Sequence, residues 1–152
     1  MIKGLYEAHL PVSNLKQSIE FYINLDLEMA YQNEKLAFFW IEKGKSWLGL
    51  WETDKVTTPY HPSLRHIALQ IDIESMQSVK EWLGQKGIKI KTDFGFSPEK
   101  QPLVLPNCPN AHAAIYFEDP DGNSLELIAP LQLDCKEPFE MMTLEEWNKR
   151  NK

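Results

Sequence analysis

Residues 5–12, Leu-Tyr-Glu-Ala-His-Leu-Pro-Val, alternate loosely between apolar and polar positions, and Asn14 offers an N-cap before Leu15, Ile19, Phe21, Tyr22 and Leu25 at roughly helical spacing. A strand and then a helix follow from that pattern. Residues 27–33, 36–42 and 46–52 are short aromatic and aliphatic runs, broken at Asn33-Glu34-Lys35 and Lys43-Gly44-Lys45, and they predict three hairpin-linked strands. After a turn-rich linker, residues 57–63, the order restarts. Residues 65–71 form an apolar strand, Met76, Val79, Trp82 and Leu83 follow helical spacing up to Gly87, and Ile88-Lys89-Ile90-Lys91 alternates as a further strand. Residues 93–111 carry Gly95, Pro98, Pro102, Pro106 and Pro109, so they read as a long loop of the lid kind around one short strand at residues 103–105. Two last strands, 112–118 and 123–129, are joined by Asp119-Pro120-Asp121-Gly122, a tight hairpin sequence.

The chain thus reads as an α+β protein built from two βαβββ modules, residues 3–52 and 65–129, within a domain spanning 1–130. Paired modules of this kind form curled mixed sheets around a trough. In the tail, 131–152, Thr143-x-x-Glu146 is a capping box that starts a short helix. Residue identity supports the repeat, because His9-Leu10-Pro11-Val12 and His66-Ile67-Ala68-Leu69 each precede a helix. The two histidines hold equivalent places.

Equivalence within a repeat turns two isolated histidines into candidate chemistry. A histidine in the first strand of each module and the carboxylate of Glu126 in the last strand would meet in a shared trough, giving two imidazoles and one carboxylate. That donor set suits one divalent ion of Fe, Mn, Ni, Co or Zn and leaves positions open for substrate. The metal expectation is therefore His9, His66 and Glu126.

Composition narrows the partners. With 152 residues one ordinary domain is expected, and a net charge of −6 argues against a nucleic-acid backbone, which needs clustered Lys and Arg. No secretory pattern or apolar run of membrane-spanning length is present, so a cytoplasmic protein without a membrane partner is expected. Cys108 and Cys135 have no metal-type spacing and are expected as reduced thiols.

At this point the sequence resembles a known family. His9, the run Arg65-His66-Ile67-Ala68-Leu69, and above all Tyr116-Phe117-Glu118-Asp119-Pro120-Asp121-Gly122-Asn123-Ser124-Leu125-Glu126-Leu127 are similar to the vicinal oxygen chelate group, which holds glyoxalases, bleomycin-resistance proteins and extradiol dioxygenases. The resemblance covers residues 3–130. It implies a metal that chelates adjacent oxygens of a small-molecule substrate, in a lyase, isomerase, thiol transferase or oxygenase. It also implies pairing of modules within a chain or across a homodimer. Glyoxalase I places a second Glu where this chain has Gly49, and Glu52 is out of phase with that position. Extradiol dioxygenases share the Tyr116-to-Glu126 signature but carry an acid/base histidine where this chain has Trp51. Fosfomycin-resistance thiol transferases share the three ligands and the tyrosine; their phosphonate site would draw on Arg65, Lys91 or Lys100, and Asn123 replaces their usual His. The alternative to an enzyme is a metal-free, drug-sequestering protein of the bleomycin-resistance kind.

Strand geometry adds catalytic candidates. If residues 120–122 form a three-residue loop with Gly122 left-handed, Asp119 pairs with Asn123 and Tyr116 falls opposite Glu126. Tyr116, Ala114 and His112 then share the trough side, while Ala113, Ile115 and Phe117 face the helix. Tyr116 becomes the leading candidate to hydrogen-bond or protonate a substrate oxygen, with His112 second and Trp51 a candidate substrate-pocket residue. A four-residue loop would instead set Ile115 opposite Glu126.

Overall fold

A computed structural model describes residues 1, 3–56, 65–106, 111–131 and 139–151. The linker at 57–63 with His61, and both cysteines, Cys108 and Cys135, lie outside the described residues. The chain divides into two compact units, Met1–Arg65 with Asp119–Asn123, and His66–Glu118 with Ser124–Lys152.

In the first unit, β1 (Glu7–Val12) is followed by α1 (Leu15–Asn24), β2 (Met29–Gln32), β3 (Leu36–Glu42) and β4 (Ser46–Glu52). Asn14 caps α1 by accepting from the Gln17 N–H. The sheet runs β1-β4-β3-β2, with β1 parallel to β4 and the other pairs antiparallel. Alternation decides the two faces. Leu10, Val12, Ala37, Phe39, Leu48 and Leu50 are buried with Leu15, Ile19 and Tyr22 of α1, which packs on β3 and β4. Residues one position out of phase, among them His9, Phe38, Trp40 and Trp51, retain solvent access on the opposite face.

The loop 119–123 belongs to this unit. Asp119 is its anchor: one carboxylate oxygen accepts from the Tyr22 hydroxyl (3.0 Å) and the Asn123 side-chain amide (2.6 Å), and the other from the backbone N–H groups of Asp121 (3.0 Å) and Asn123 (2.8 Å). Burial raises the Asp119 pKa, and these hydrogen bonds oppose the rise.

The second unit repeats the strand order. It contains β5 (His66–Gln70), α2 (Ile73–Gln85), a 3₁₀ turn at Pro98–Lys100, β6 (Leu103–Leu105), β7 (His112–Glu118), β8 (Ser124–Pro130), β9 (Met142–Thr143) and α3 (Leu144–Arg150). The sheet runs β5-β8-β7-β6-β9, and again the first strand lies parallel to the last strand of the βαβββ pattern. The expected strand at 88–91 is reduced to one bridge, Ile90 to Phe117, supplemented by the Lys91 N–H donating to the Tyr116 carbonyl at 2.9 Å. The following turn takes the chain away from the sheet before a ladder can form. The capping box is present, since the Thr143 hydroxyl accepts from the Glu146 N–H while the Glu146 carboxylate receives the Thr143 N–H. Sequence patterning missed β9, a two-residue pairing on β6 too short to carry a period of its own.

The last hairpin has the expected three-residue form. The Asp119 N–H donates to the Asn123 carbonyl, the Gly122 N–H donates to the Asp119 carbonyl, and Gly122 has φ 73°. The ladder sets Tyr116 opposite Glu126 and Ile115 opposite Leu127.

Candidate active site

Three neighbouring strands of the second sheet converge on Glu126. The β5–β8 register places Ala68 beside Glu126 and His66 beside Ser124, so the side chains of His66, Ser124 and Glu126 share one face. From the other side β7 supplies Tyr116 opposite Glu126, with His112 four residues earlier on the same face.

The polar contacts form a continuous chain. Lys91 Nζ donates to Ser124 Oγ (2.9 Å), and Ser124 Oγ lies 3.2 Å from His66 Nδ1. His66 Nε2 lies 3.1 Å from Glu126 Oε2, while the Tyr116 hydroxyl donates to Glu126 Oε1 at 3.0 Å. An ammonium only donates, so Ser124 Oγ accepts from Lys91, while the two His66 ring nitrogens face the serine hydroxyl and the Glu126 carboxylate. His112 Nε2 is 4.0 Å from Glu126 Oε1, beyond direct hydrogen bonding. Lys91 also lies 3.3 Å from an Asp93 carboxylate oxygen.

Burial decides what these groups can do. Glu126 is 6% exposed, so its charge depends on the donors around it. Burial, and then the negative charge of Glu126, push the Tyr116 hydroxyl well above its ordinary pKa. Tyr116 therefore acts as a hydrogen-bond donor and holds its proton across the working pH range.

His9 and Trp51 sit together in the first unit. The His9 ring lies across Gly49, its partner on β4, where an added Cβ would fall 2.3 Å from His9 Nδ1. The Trp51 indole donates to His9 Nδ1 at 2.6 Å, and His9 Nε2 faces Glu7 at 3.4 Å. Trp47 in turn donates to Glu7 at 2.8 Å; that hydrogen bond, followed by the one with His9, lowers the Glu7 pKa. A side chain at Gly49 would displace the His9 ring from its present position, so no second carboxylate stands at this place.

Among the described residues no group of three His, Cys, Asp or Glu side chains stands together as a metal site. Two of the expected ligands nonetheless fit one ion. Donors bound cis at ~2.1 Å from a metal are about 3 Å apart, close to the 3.1 Å between His66 Nε2 and Glu126 Oε2. The Ser124 hydroxyl can also accept from His66 Nδ1–H once Nε2 becomes a ligand, so the same neighbour supports either tautomer.

The sequence model of the Glyoxalase/Bleomycin resistance protein/Dioxygenase superfamily matches residues 4–127. The chain belongs to that superfamily. It is similar to the metallothiol transferase FosB of Staphylococcus haemolyticus, 30% identical over 131 residues that cover 84% of each chain. The fosfomycin resistance protein FosX of Listeria monocytogenes has a solved structure 28% identical to this chain, with TM-score 0.62 and coverage of 87% of this chain and 97% of that one. A mutant of that FosX, complexed with Mn(II) and 1S,2S-dihydroxypropylphosphonic acid, is 25% identical with the same TM-score and covers 87% and 95% of the two chains. These relatives are named as a metallothiol transferase and as fosfomycin resistance proteins, one of them complexed with Mn(II). No described helix is long and apolar enough to cross a membrane.

Sequence reasoning singled out His66, Glu126, Tyr116 and His112, which the second sheet gathers on one face, and His9 with Trp51, which the first sheet gathers. It missed Ser124 as the hydroxyl between Lys91 and His66. The signal was available, because Ser124 lies two residues before Glu126 and therefore on the same face.

Proposed function

We infer that this protein is a divalent-metal-dependent transferase that adds a thiol to the epoxide of fosfomycin or a closely related small phosphonate. The observation that carries the reading is the chain Lys91–Ser124–His66–Glu126–Tyr116, which puts a cation, two metal-type donors and a protonated phenol on one sheet face. Likeness to FosB and FosX supplies the substrate class.

A divalent ion held by His66 and Glu126, with His9 as third ligand from the same chain or from a second copy in a homodimer, would supply Lewis-acid stabilisation of charge developing on oxygen. Mn(II) suits this donor set, as do Fe, Co, Ni and Zn. In the reaction the thiol sulfur bonds to an epoxide carbon, the carbon–oxygen bond breaks, and the proton lost by the thiol ends on the released oxygen. Tyr116 can turn its hydroxyl from Glu126 to donate a hydrogen bond to that oxygen; Lys91, paired with Asp93, anchors Ser124, and Ser124 orients His66. Trp51, 47% exposed beside His9, offers an aromatic surface to the substrate. His112, 4.0 Å from Glu126 Oε1, is assigned a lesser, supporting place at the same face.

Phosphorus NMR of fosfomycin incubated with the protein, Mn(II) and L-cysteine tests the reading. A new resonance that requires both metal and thiol is expected. One that requires metal but no thiol favours addition of water, the reading suggested by the dihydroxypropylphosphonic acid complexed with FosX. Fosfomycin bound yet recovered unchanged would instead support a drug-sequestering protein.

A further inference from the structure

Residues 93–96 form a tight turn in which the Phe96 N–H donates to the Asp93 carbonyl (2.8 Å) and the Asp93 N–H returns to Phe96 (3.2 Å). Both central residues are left-handed, Phe94 at φ 47° and Gly95 at φ 77°. Turns of this kind normally take Asn, Asp or Gly at the first central place, because a Cβ is disfavoured there. Phe94 therefore holds a conformation that its own chemistry opposes.

Folding offers no compensation for that choice. Phe94 is 58% exposed, whereas Phe96 two residues on packs against the buried cluster of Leu103, Leu105, Ala114 and Tyr116. The one ring contact Phe94 makes among the described residues is edge-on to Tyr116, at 5.7 Å between centroids and 68° between planes. Tyr116 is the residue whose hydroxyl touches Glu126. An exposed aromatic ring is thus held in a left-handed turn against the phenol of the candidate site. The turn is also fixed in place, since the Lys91 N–H donates to the Tyr116 carbonyl and the buried Gln101 side chain joins the Lys91 carbonyl (2.6 Å) to the Tyr116 N–H (3.1 Å).

We propose that Phe94 is a specificity-determining residue that covers the carbon side of a small oxyanion whose oxygens lie toward the Tyr116 hydroxyl and a divalent ion held beside Glu126. This rests on the small-phosphonate reading above and adds the residue that distinguishes an organic phosphonate from inorganic phosphate.

The test compares inorganic phosphate, methylphosphonate and fosfomycin by titration calorimetry against Mn(II)-loaded wild type and Phe94→Asn. Asn takes the left-handed place readily, so the variant should melt at or above the wild-type temperature. Wild type should prefer methylphosphonate and fosfomycin over phosphate by about tenfold or more, as buried apolar contacts of this size do, and the preference should collapse in Phe94→Asn while phosphate affinity holds. In turnover the same variant should raise KM for fosfomycin with kcat within about twofold, since it removes binding without touching the reacting atoms. An unchanged preference in Phe94→Asn, or equal binding of phosphate and methylphosphonate by wild type, overturns the assignment. Preference intact but no turnover of fosfomycin would sink the transferase reading and leave Phe94 in its place.

Discussion

Tyr116 stands directly opposite Glu126 across the β7–β8 ladder, and its hydroxyl donates to the carboxylate at 3.0 Å. The pair makes each group what it is. The carboxylate and burial together hold the phenol protonated, and the phenol gives the buried carboxylate a donor.

Removing the phenol oxygen should affect chemistry more than folding. Tyr116→Phe is expected to lower kcat for fosfomycin by about 100-fold, the range of a positioned proton donor, with the circular dichroism spectrum unchanged. The folded phenol keeps a proton that the unfolded one loses near its ordinary pKa, so this group's share of stability is present below about pH 10 and fades as pH rises further. A kcat for Tyr116→Phe within about twofold of wild type would contradict the assignment.

Ser124→Ala tests the link between Lys91 and His66. Losing a hydroxyl that orients a ligating imidazole commonly costs about 10- to 100-fold in metal affinity. Mn(II) titration of the variant should show that loss with little change in melting temperature; unchanged affinity would mean that His66 is oriented by other contacts.

Gly49→Ala separates position from stability. An added Cβ would sit 2.3 Å from His9 Nδ1 and 2.9 Å from Phe38, so the histidine ring must swing away from Trp51. If His9 is a ligand, Mn(II) affinity should fall by at least about tenfold while the fold tolerates the change. Tight binding retained by Gly49→Ala would remove His9 from the site.

Asp119→Asn should act on the fold. The carboxylate accepts from four donors, and an amide would turn its NH2 toward two of them. Buried polar groups left facing like partners should cost about 3 kcal/mol, which for a chain of this size is a fall of about 10 °C in Tm. A Tm within a degree or two of wild type would show that the loop is held in some other way.

Much of the architecture was legible because it rests on local rules. The Asp-Pro-Asp-Gly stretch narrowed the hairpin to two loop lengths, and the three-residue one, by period-two alternation, places Tyr116 and Glu126 on one face as the structure has them. Asn14 and Thr143 marked helix starts by the same logic. What escaped notice depends on encounters between distant segments. Lys91 was a candidate, but its contact with Ser124 spans 33 positions, and Phe94 meets Tyr116 only because a turn with two left-handed residues folds it back. The strand predicted at 88–91 is a different case: its alternation was sound, yet only Ile90 is bridged, to Phe117.

Titration of the protein with Mn(II) addresses the central claim most directly. Wild type should bind one ion per chain, and His66→Ala, Glu126→Gln and His9→Ala should each lose affinity by at least about 100-fold, since each removes one of three ligands. Stoichiometric Mn(II) binding retained by the His66→Ala/Glu126→Gln double variant would contradict the account.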